Sequence, residues 1–320
     1  MHLIESANIS QLTTLRIGGV ADKLFAPKEK QELIRIIKQL KTENIPWAVL
    51  GGGSNSLISS NGVRGAVIST ASLNWVERVS GDLVLIGSGA KMPKLAGQLA
   101  QMSLSGCEFM EGIPGTVGGA IIMNAGAHGQ WTSGILDKVT FLDTFTGDEI
   151  IIHSSELEFG YRSSTIDTKR YIVMEALFKL NEDKTEYITE RMKQYSRQRN
   201  MSQPKGFSSG CIFRNPLPNI PAGKLIDEMG FKGQAFGGAE ISNIHANFIM
   251  NAHGASSEDI CHLINKIQTK AWTTRGIWLE PEVCGMGQFS EEQKLLWIHP
   301  NNRIINNSVI SIEKEILIKK

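Results

Sequence analysis

The sequence predicts an α+β protein of three modest domains, on three observations. Its 320 residues suffice for two or three units that each bury a core. Hydrophobic residues make up 41% and charged residues 20%, the balance of a compact globular chain rather than a disordered one. Helix-period and strand-period segments alternate early in the chain, whereas strand-like runs cluster around a single helix in its middle.

The first unit, expected over residues 1–72, reads β-α-β-turn-β. After Pro27, the residues Leu33, Ile36, Ile37 and Leu40 recur at helical spacing, and Trp47-Ala48-Val49-Leu50 follows as a short apolar strand running into three glycines. Ala66-Val67-Ile68 reads as the next strand. The second unit, over 73–183, places strands at 83–86, 139–142 and 171–177 around one helix carrying Leu95, Leu99 and Met102. Within it Thr146-Gly147-Asp148-Glu149 reads as a hairpin turn.

Thr185 to Gln203 is polar and cation-rich, with Tyr187, Met192 and Tyr195 as its few apolar anchors, and reads as a connecting helix. A third unit is expected over 188–287. It has a short helix from Lys224 stopped by Gly230, and a longer one capped by Ser256 or Ser257 whose face is Ile260, Leu263, Ile264 and Ile267. The segment 288–320 matches no motif and is set apart as a tail.

Charge and cysteine usage remove several function classes. With 33 Lys and Arg against 32 Asp and Glu, no global field draws the chain to nucleic acid or to an acidic membrane surface. No stretch is long and apolar enough to cross a bilayer, and the first residues lack the pattern of a secretory leader, so a cytoplasmic protein is expected. Cys107, Cys211, Cys261 and Cys284 include no CxxC pair, which argues against zinc or a redox dithiol; no metal is expected.

Two glycine-rich loops carry chemistry. Gly51-Gly52-Gly53-Ser54-Asn55-Ser56 follows a strand, and glycines there allow positive φ and close approach, so successive amides can cradle a phosphate. It is neither a GxGxxG fingerprint nor a GxxxxGK[ST] loop. Gly112-Ile113-Pro114-Gly115-Thr116-Val117-Gly118-Gly119-Ala120 leads into 121–127, where a helix is expected to begin and to present its amides and dipole to a pyrophosphate. Two such loops suggest one dinucleotide held between two subdomains.

These loops, in order with Thr13-Thr14-Leu15-Arg16-Ile17-Gly18-Gly19, Tyr161-Arg162-Ser163-Ser164, Gly210-Cys211-Ile212-Phe213-Arg214-Asn215-Pro216 and Leu279-Glu280-Pro281-Glu282-Val283, resemble the UDP-N-acetylenolpyruvoylglucosamine reductase family over residues 7–287. The resemblance implies the FAD-binding fold of the vanillyl-alcohol oxidase and para-cresol methylhydroxylase superfamily with a C-terminal substrate domain. It also implies NADPH as hydride donor and UDP-N-acetylglucosamine enolpyruvate as substrate. Members that hold flavin covalently often carry a histidine in the first loop, where this chain has Ser54 and Asn55, so FAD is expected to be noncovalent. The short span between Tyr161 and Tyr195 resembles the subgroup without an extra substrate-capping loop.

Residue by residue, the resemblance places FAD against Arg16, the whole 51–56 loop, Gly112, Pro114, Gly115, Thr116, Gly118, Gly119, Ala120 and Asn124. It makes Tyr161, Asn215 and Lys224 substrate contacts and Arg162, Cys211 and Glu282 the catalytic set. A guanidinium grips a carboxylate through two parallel hydrogen bonds, which suits Arg162 to the charge that grows there as hydride arrives. If 278–283 is a strand, Glu280 and Glu282 share a face, with Glu280 supporting. Cys211 stands where the family usually has a proton-donating serine; an ordinary thiol is a sufficient acid at neutral pH and ionises near pH 8.5. Ser202 stands where members often carry a lysine. The competing readings are a flavin-dependent sugar or alcohol oxidase on the same fold, and a binding module that has lost catalysis.

Overall fold

The computed structural model describes residues 3–217 and 219–303. Its first unit opens with strand β1 (Leu3–Asn8) antiparallel to β2 (Val20–Phe25). Helix α1 (Lys30–Thr42) then crosses to β3 (Trp47–Leu50), and β5 (Val63–Ser69) inserts between, so that β2, β5 and β3 run parallel in a sheet ordered β1-β2-β5-β3. The spacing of Leu33, Ile36, Ile37 and Leu40 explains the helix, since all four are buried on one face. They meet Phe25 and Ile68 from this sheet, and also Leu142, Ile172 and Met174 from the next one. The first two units therefore share a core.

The second sheet is five-stranded and antiparallel. Its order is Glu149–His153, Leu136–Asp143, Tyr171–Lys179, β7 (Leu83–Gly87) and β6 (Val76–Ser80). Gly147, at φ 86°, makes the hairpin turn between the first two of these strands. Helices α2 (Met92–Gln101) and α3 (Val117–Ile122) contribute Leu95, Leu99, Val117 and Ile121 to the core beneath it. The second glycine loop accordingly enters its helix sooner than expected. Gly118 and Gly119 lie inside α3 rather than ahead of it.

Helix α4 (Thr185–Ser202) connects to the third unit and is anchored by the buried Ile188 and by Arg191. Helix α5 (Ala222–Glu228) ends just before Gly230, at φ 76°, and α6 (Ser257–Arg275) starts with a capping box between Ser256 and Asp259 and ends on Gly276 at φ 64°. The face Ile260, Leu263, Ile264 and Ile267 packs with Phe213, Leu225 and Ile226, and the same core takes in Leu15, Ile17 and Leu57 from the start of the chain.

A further contact ties the third unit to the first, and another joins the segment past residue 287 to the third. Cys284–Met286 pairs in parallel with β4 (Ser56–Ile58), the strand that follows the first glycine loop. Past residue 287 the core continues: Phe289 and Leu296 are buried in it, and Trp297 Nε1 donates to Val283 O at 2.8 Å. The rest of the expected tail, 304–320, lies outside the described residues.

Candidate functional site

The two glycine loops close against each other. A Cβ at Gly52 would lie 2.7 Å from Gly115 Cα, and one at Gly51 would lie 2.7 Å from Thr116 Oγ1. A Cβ added at Gly115, whose φ is 123°, would lie 2.7 Å from Ser54 Oγ. Only residues without side chains let two backbones approach this closely. Below the seam, Gly118 N donates to Ser88 O at 2.8 Å and so is committed to the fold. Thr116 Oγ1 and Ser88 Oγ are buried with no hydrogen-bond partner among the described residues. Because α3 has six residues, any anion held here depends on nearby amides and hydroxyls more than on a long helix dipole.

The other expected cofactor residues divide by what their side chains do. Asn55 Nδ2 donates to Glu282 O at 3.0 Å, and Asn55 O accepts from Cys284 N at 2.9 Å. The first loop is thereby pinned to the segment that carries Glu282. Asn124 Nδ2 donates to Gly160 O at 3.0 Å, and its Oδ1 accepts from Ser133 N at 3.1 Å. That amide holds the turn before Arg162 and is spent on the protein. Arg16 is exposed, bonds to Gln11 and lies over the Phe207 ring at 5.7 Å, while Thr14 N donates to Gly53 O, so this segment supports the loop through its backbone. Ala120 is buried in α3, and Ser56 begins β4.

Arg162 sits at the turn of the hairpin formed by Phe159–Gly160 and Ser163–Ser164, at φ 54°. The turn is fixed from several sides. Ser164 Oγ donates to Ile122 O at 2.7 Å, and Arg214 Nη2 donates to Arg162 O at 3.1 Å. The Arg162 guanidinium is aimed in turn: Nη1 donates to Gly126 O at 3.1 Å, Nε lies 3.1 Å from Glu282 Oε1, and the rings of Trp131 and Tyr161 each lie 5.7 Å away.

Residues 278–283 do not form the regular strand expected of them. They run extended, with Pro281 bridged to Phe213, Arg214 N donating to Glu280 O and Glu282 N donating to Ile212 O. The prolines at 281 and 216 interrupt a longer ladder. The result separates the two glutamates: the Glu282 side chain is 14% exposed, and that of Glu280 is 56% exposed, 3.9 Å from Arg214. Glu282 is the buried carboxylate, pushed up by burial and pulled back by Arg162 and Arg214.

Cys211, Arg162, Glu282, Tyr161, Asn215 and Lys224 all line one cavity of about 480 Å³. Burial pushes the Cys211 thiol up to about 11, with Glu282 adding to it and Arg162 and Arg199 opposing. Ionisation near pH 8.5, the value of an exposed thiol, is therefore corrected by its surroundings. Asn215 Oδ1 accepts from Ala222 N at 3.0 Å and so fixes the start of α5, whereas Lys224 is exposed and only 4.0 Å from Glu228. Tyr161 is half-exposed at the mouth.

Sequence reasoning passed over several residues that this geometry brings in. Arg214 was legible only as part of the motif around Cys211. Arg199 lies on α4, its arm against Gly112, where burial lowers its basicity and Cys211 and Arg162 act on it. Lys232, His245 and Asn247 also line the cavity, from loops without any recognised pattern. Arg162, Lys224 and Lys232 set three cations against Glu282 and Asp227 in the cavity lining, while burial lowers the His245 pKa and keeps that ring from adding a charge. Among the described residues no group of His, Cys, Asp and Glu could hold a metal, and no helix is long and apolar enough to cross a membrane.

Comparison with known proteins agrees with this arrangement. The model of the UDP-N-acetylenolpyruvoylglucosamine reductase C-terminal domain matches residues 203–286, and that of an FAD binding domain matches 21–155. The UDP-N-acetylenolpyruvoylglucosamine reductase of Bacillus pumilus is 38% identical over 288 residues, 89% of this chain and 94% of that protein. Reductase 1 of the same name from Bacillus cereus is 42% identical over 267 residues, covering 81% and 86%. The crystal structure of the enzyme from Thermus caldophilus superposes with a TM-score of 0.76 at 35% identity, covering 89% of this chain and 98% of that one.

Proposed function

Because the chain belongs to the UDP-N-acetylenolpyruvoylglucosamine reductase family, we infer that it is an FAD-dependent oxidoreductase that reduces UDP-N-acetylglucosamine enolpyruvate to UDP-N-acetylmuramate with NADPH, a step of peptidoglycan precursor synthesis. One observation carries the assignment of residues: a largely buried carboxylate, the guanidinium it touches and a half-buried thiol line a single cavity, and the first glycine loop is bonded to the segment bearing that carboxylate. The residues of the seam fit FAD. Gly51, Gly52 and Gly115 let the two loops close on each other, which brings their amides together, and the Thr116 and Ser88 hydroxyls have bonding capacity to spare. Held by these residues, FAD would supply the hydride chemistry that links NADPH to the substrate alkene.

The chain's own residues do the rest. Hydride arriving at the β-carbon of the enolpyruvyl ether leaves an electron pair that spreads from the α-carbon into the carboxylate. Arg162, held by Glu282 and Gly126 O, presents a fixed positive charge to those oxygens and needs no reorganisation as the charge grows. Cys211 then delivers its Sγ proton to the α-carbon, leaving a thiolate that Arg162 and Arg199 face. Hydride plus proton saturate the double bond and give the lactyl ether. Lys224 and Lys232, which line the same cavity, are the cations available to the nucleotide diphosphate.

A sugar or alcohol oxidase on the same fold is not favoured, since the family match extends through the substrate domain. The test is spectroscopic. Under nitrogen, NADPH should bleach the bound flavin and the enolpyruvyl substrate should restore its oxidised spectrum within the turnover time. Reoxidation by oxygen but not by that substrate would overturn the assignment.

A further inference from the structure

The Cys211 segment is stitched on both sides. On one side Ile212 O accepts from Glu282 N at 2.7 Å, and on the other Ile212 N donates to Asn247 O at 2.8 Å. The Asn247 side chain then takes both polar groups of the next residue: Oδ1 accepts from Phe213 N at 3.0 Å, and Nδ2 donates to Phe213 O at 2.8 Å. Asn247 is 3% exposed and lines the same cavity as Cys211, whose thiol its amide pulls down against the stronger effect of burial. A hydrophobic residue in its place would leave Phe213 N and O without these partners, so the clamp has a structural reason. Its place in the lining of the cavity that Cys211 also lines points to a second use. Its own backbone is held by His245, whose Nδ1 accepts from Asn247 N at 3.2 Å, so the clamp is built on the cavity wall itself.

We propose that Asn247 is a positioning residue for the proton transfer: it fixes the Cys211–Phe213 backbone opposite Glu282 and offers its Nδ2–H to the sulfur, so that the thiolate left behind has a donor in place. The proposal rests on Cys211 being the acid. No bond to Asn247 forms or breaks, since the proton goes from Sγ to the substrate α-carbon and the Asn247 amide only exchanges one sulfur charge state for another as its partner.

The test uses the FAD-loaded enzyme and Asn247→Asp, which keeps the shape and the acceptor to Phe213 N but removes the donor and sets a carboxylate beside the sulfur. Flavin reduction by NADPH should keep the parent rate. Reoxidation by the enolpyruvyl substrate should slow by about tenfold or more, the scale of one lost buried hydrogen bond to a charged group, with kcat falling and KM nearly unchanged. In a Cys211→Ala background the same substitution should add no further loss. Alkylation of Cys211 by iodoacetamide supplies a readout independent of turnover: in Asn247→Asp its pH dependence should move upward. If Cys211→Ala itself turns over at the parent rate, the donor assignment fails, and the alkylation profile still decides whether Asn247 governs the thiol. Equal slowing of both half-reactions, equal loss with and without Cys211, or an unmoved alkylation profile would each overturn the proposal. Should Asn247→Asp lose its flavin spectrum, Asn247→Ser carries the same comparison without a new charge.

Discussion

Arg162 Nε lies 3.1 Å from Glu282 Oε1, and Asn55 Nδ2 lies 3.0 Å from Glu282 O. The same residue thus meets the Arg162 guanidinium with its side chain and the first glycine loop with its backbone. The sheet pairing of Cys284–Met286 with Ser56–Ile58 continues that connection, so the first glycine loop and the Glu282 segment are held as one piece.

Glu282→Gln should separate the two half-reactions. The substitution preserves volume but leaves Arg162 without its carboxylate, and with it the fixed aim of the guanidinium. Flavin reduction by NADPH should be little changed, while reoxidation by the enolpyruvyl substrate slows about 10²–10³-fold, the usual loss of one preorganised charge-stabilising group. Stopped-flow absorbance of each half-reaction checks this, and equal slowing of both would assign Glu282 a structural role.

Gly52→Ala should abolish flavin retention. Its Cβ would sit 2.7 Å from Gly115 Cα, a backbone atom that cannot turn aside. Gly115→Asp should act in the same way, adding strain at φ 123° and a negative charge at the seam. Gly97→Ala is the control, since nothing lies within 4 Å of its added carbon and α2 gains a better helix former. The measurement is the ratio of flavin to protein absorbance after purification, together with release of free FAD on heat denaturation.

Arg191→Met should destabilise the protein with a defined pH dependence. Arg191 donates to Glu108 Oε1 at 2.7 Å and to Asp183 Oδ2 at 2.6 Å, fixing α4 to the 108–110 turn and to the segment that leads into the helix. Burial pushes the Glu108 carboxyl up, but bonds from the Gly106 amide, Arg191 and Ser105 overcome this and hold it below the usual carboxylate range. A depressed folded value contributes stability above the unfolded value of about 4.3 and loses it as pH falls through the folded one. Since the Arg191 side chain is 36% exposed, water screens part of the loss, and a cost of about 1–2 kcal/mol at pH 7 is expected. Urea midpoints should show the gap between parent and variant narrowing from pH 6 to pH 3.5. A gap independent of pH would mean that Arg191 acts through packing alone.

What the sequence reveals and what it conceals follow from the range of the interactions. Periodicity exposes α1 and α6 because each buries one face along consecutive turns, as Leu33, Ile36, Ile37 and Leu40 do. The loops are legible because close backbone approach requires glycine at Gly52 and Gly115. Asn247 and Arg199 leave no such trace, for each acts on Cys211 through space from an element with its own packing reasons. The pairing of Cys284–Met286 with β4 is equally hidden, being a parallel bridge between opposite ends of the chain. The acidity of Cys211 is likewise not a property of its motif, because its surroundings and not its neighbours in sequence set it.

Cys211 gives the sharpest prediction, because its burial changes what an ordinary thiol would do. Acting as an acid, it must hold its proton at the start of the step. A thiol pushed up to about 11 stays protonated through the neutral range, so no loss of activity from its ionisation should appear near pH 8.5, and the limb due to Cys211 should lie close to pH 11. By the same arithmetic only about one molecule in a thousand carries the thiolate at pH 8, so iodoacetamide should inactivate slowly there and roughly tenfold faster per pH unit above it. Bound enolpyruvyl substrate, filling the cavity that Cys211 lines, should protect. Cys211→Ser should retain substantial turnover, since a hydroxyl can deliver a proton into the same geometry. Cys211→Ala should still be reduced by NADPH yet stall in product formation, leaving bleached flavin in the presence of substrate. Turnover of Cys211→Ala at the parent rate would move the proton source to water or to another side chain. The pH limb would then belong to that group instead.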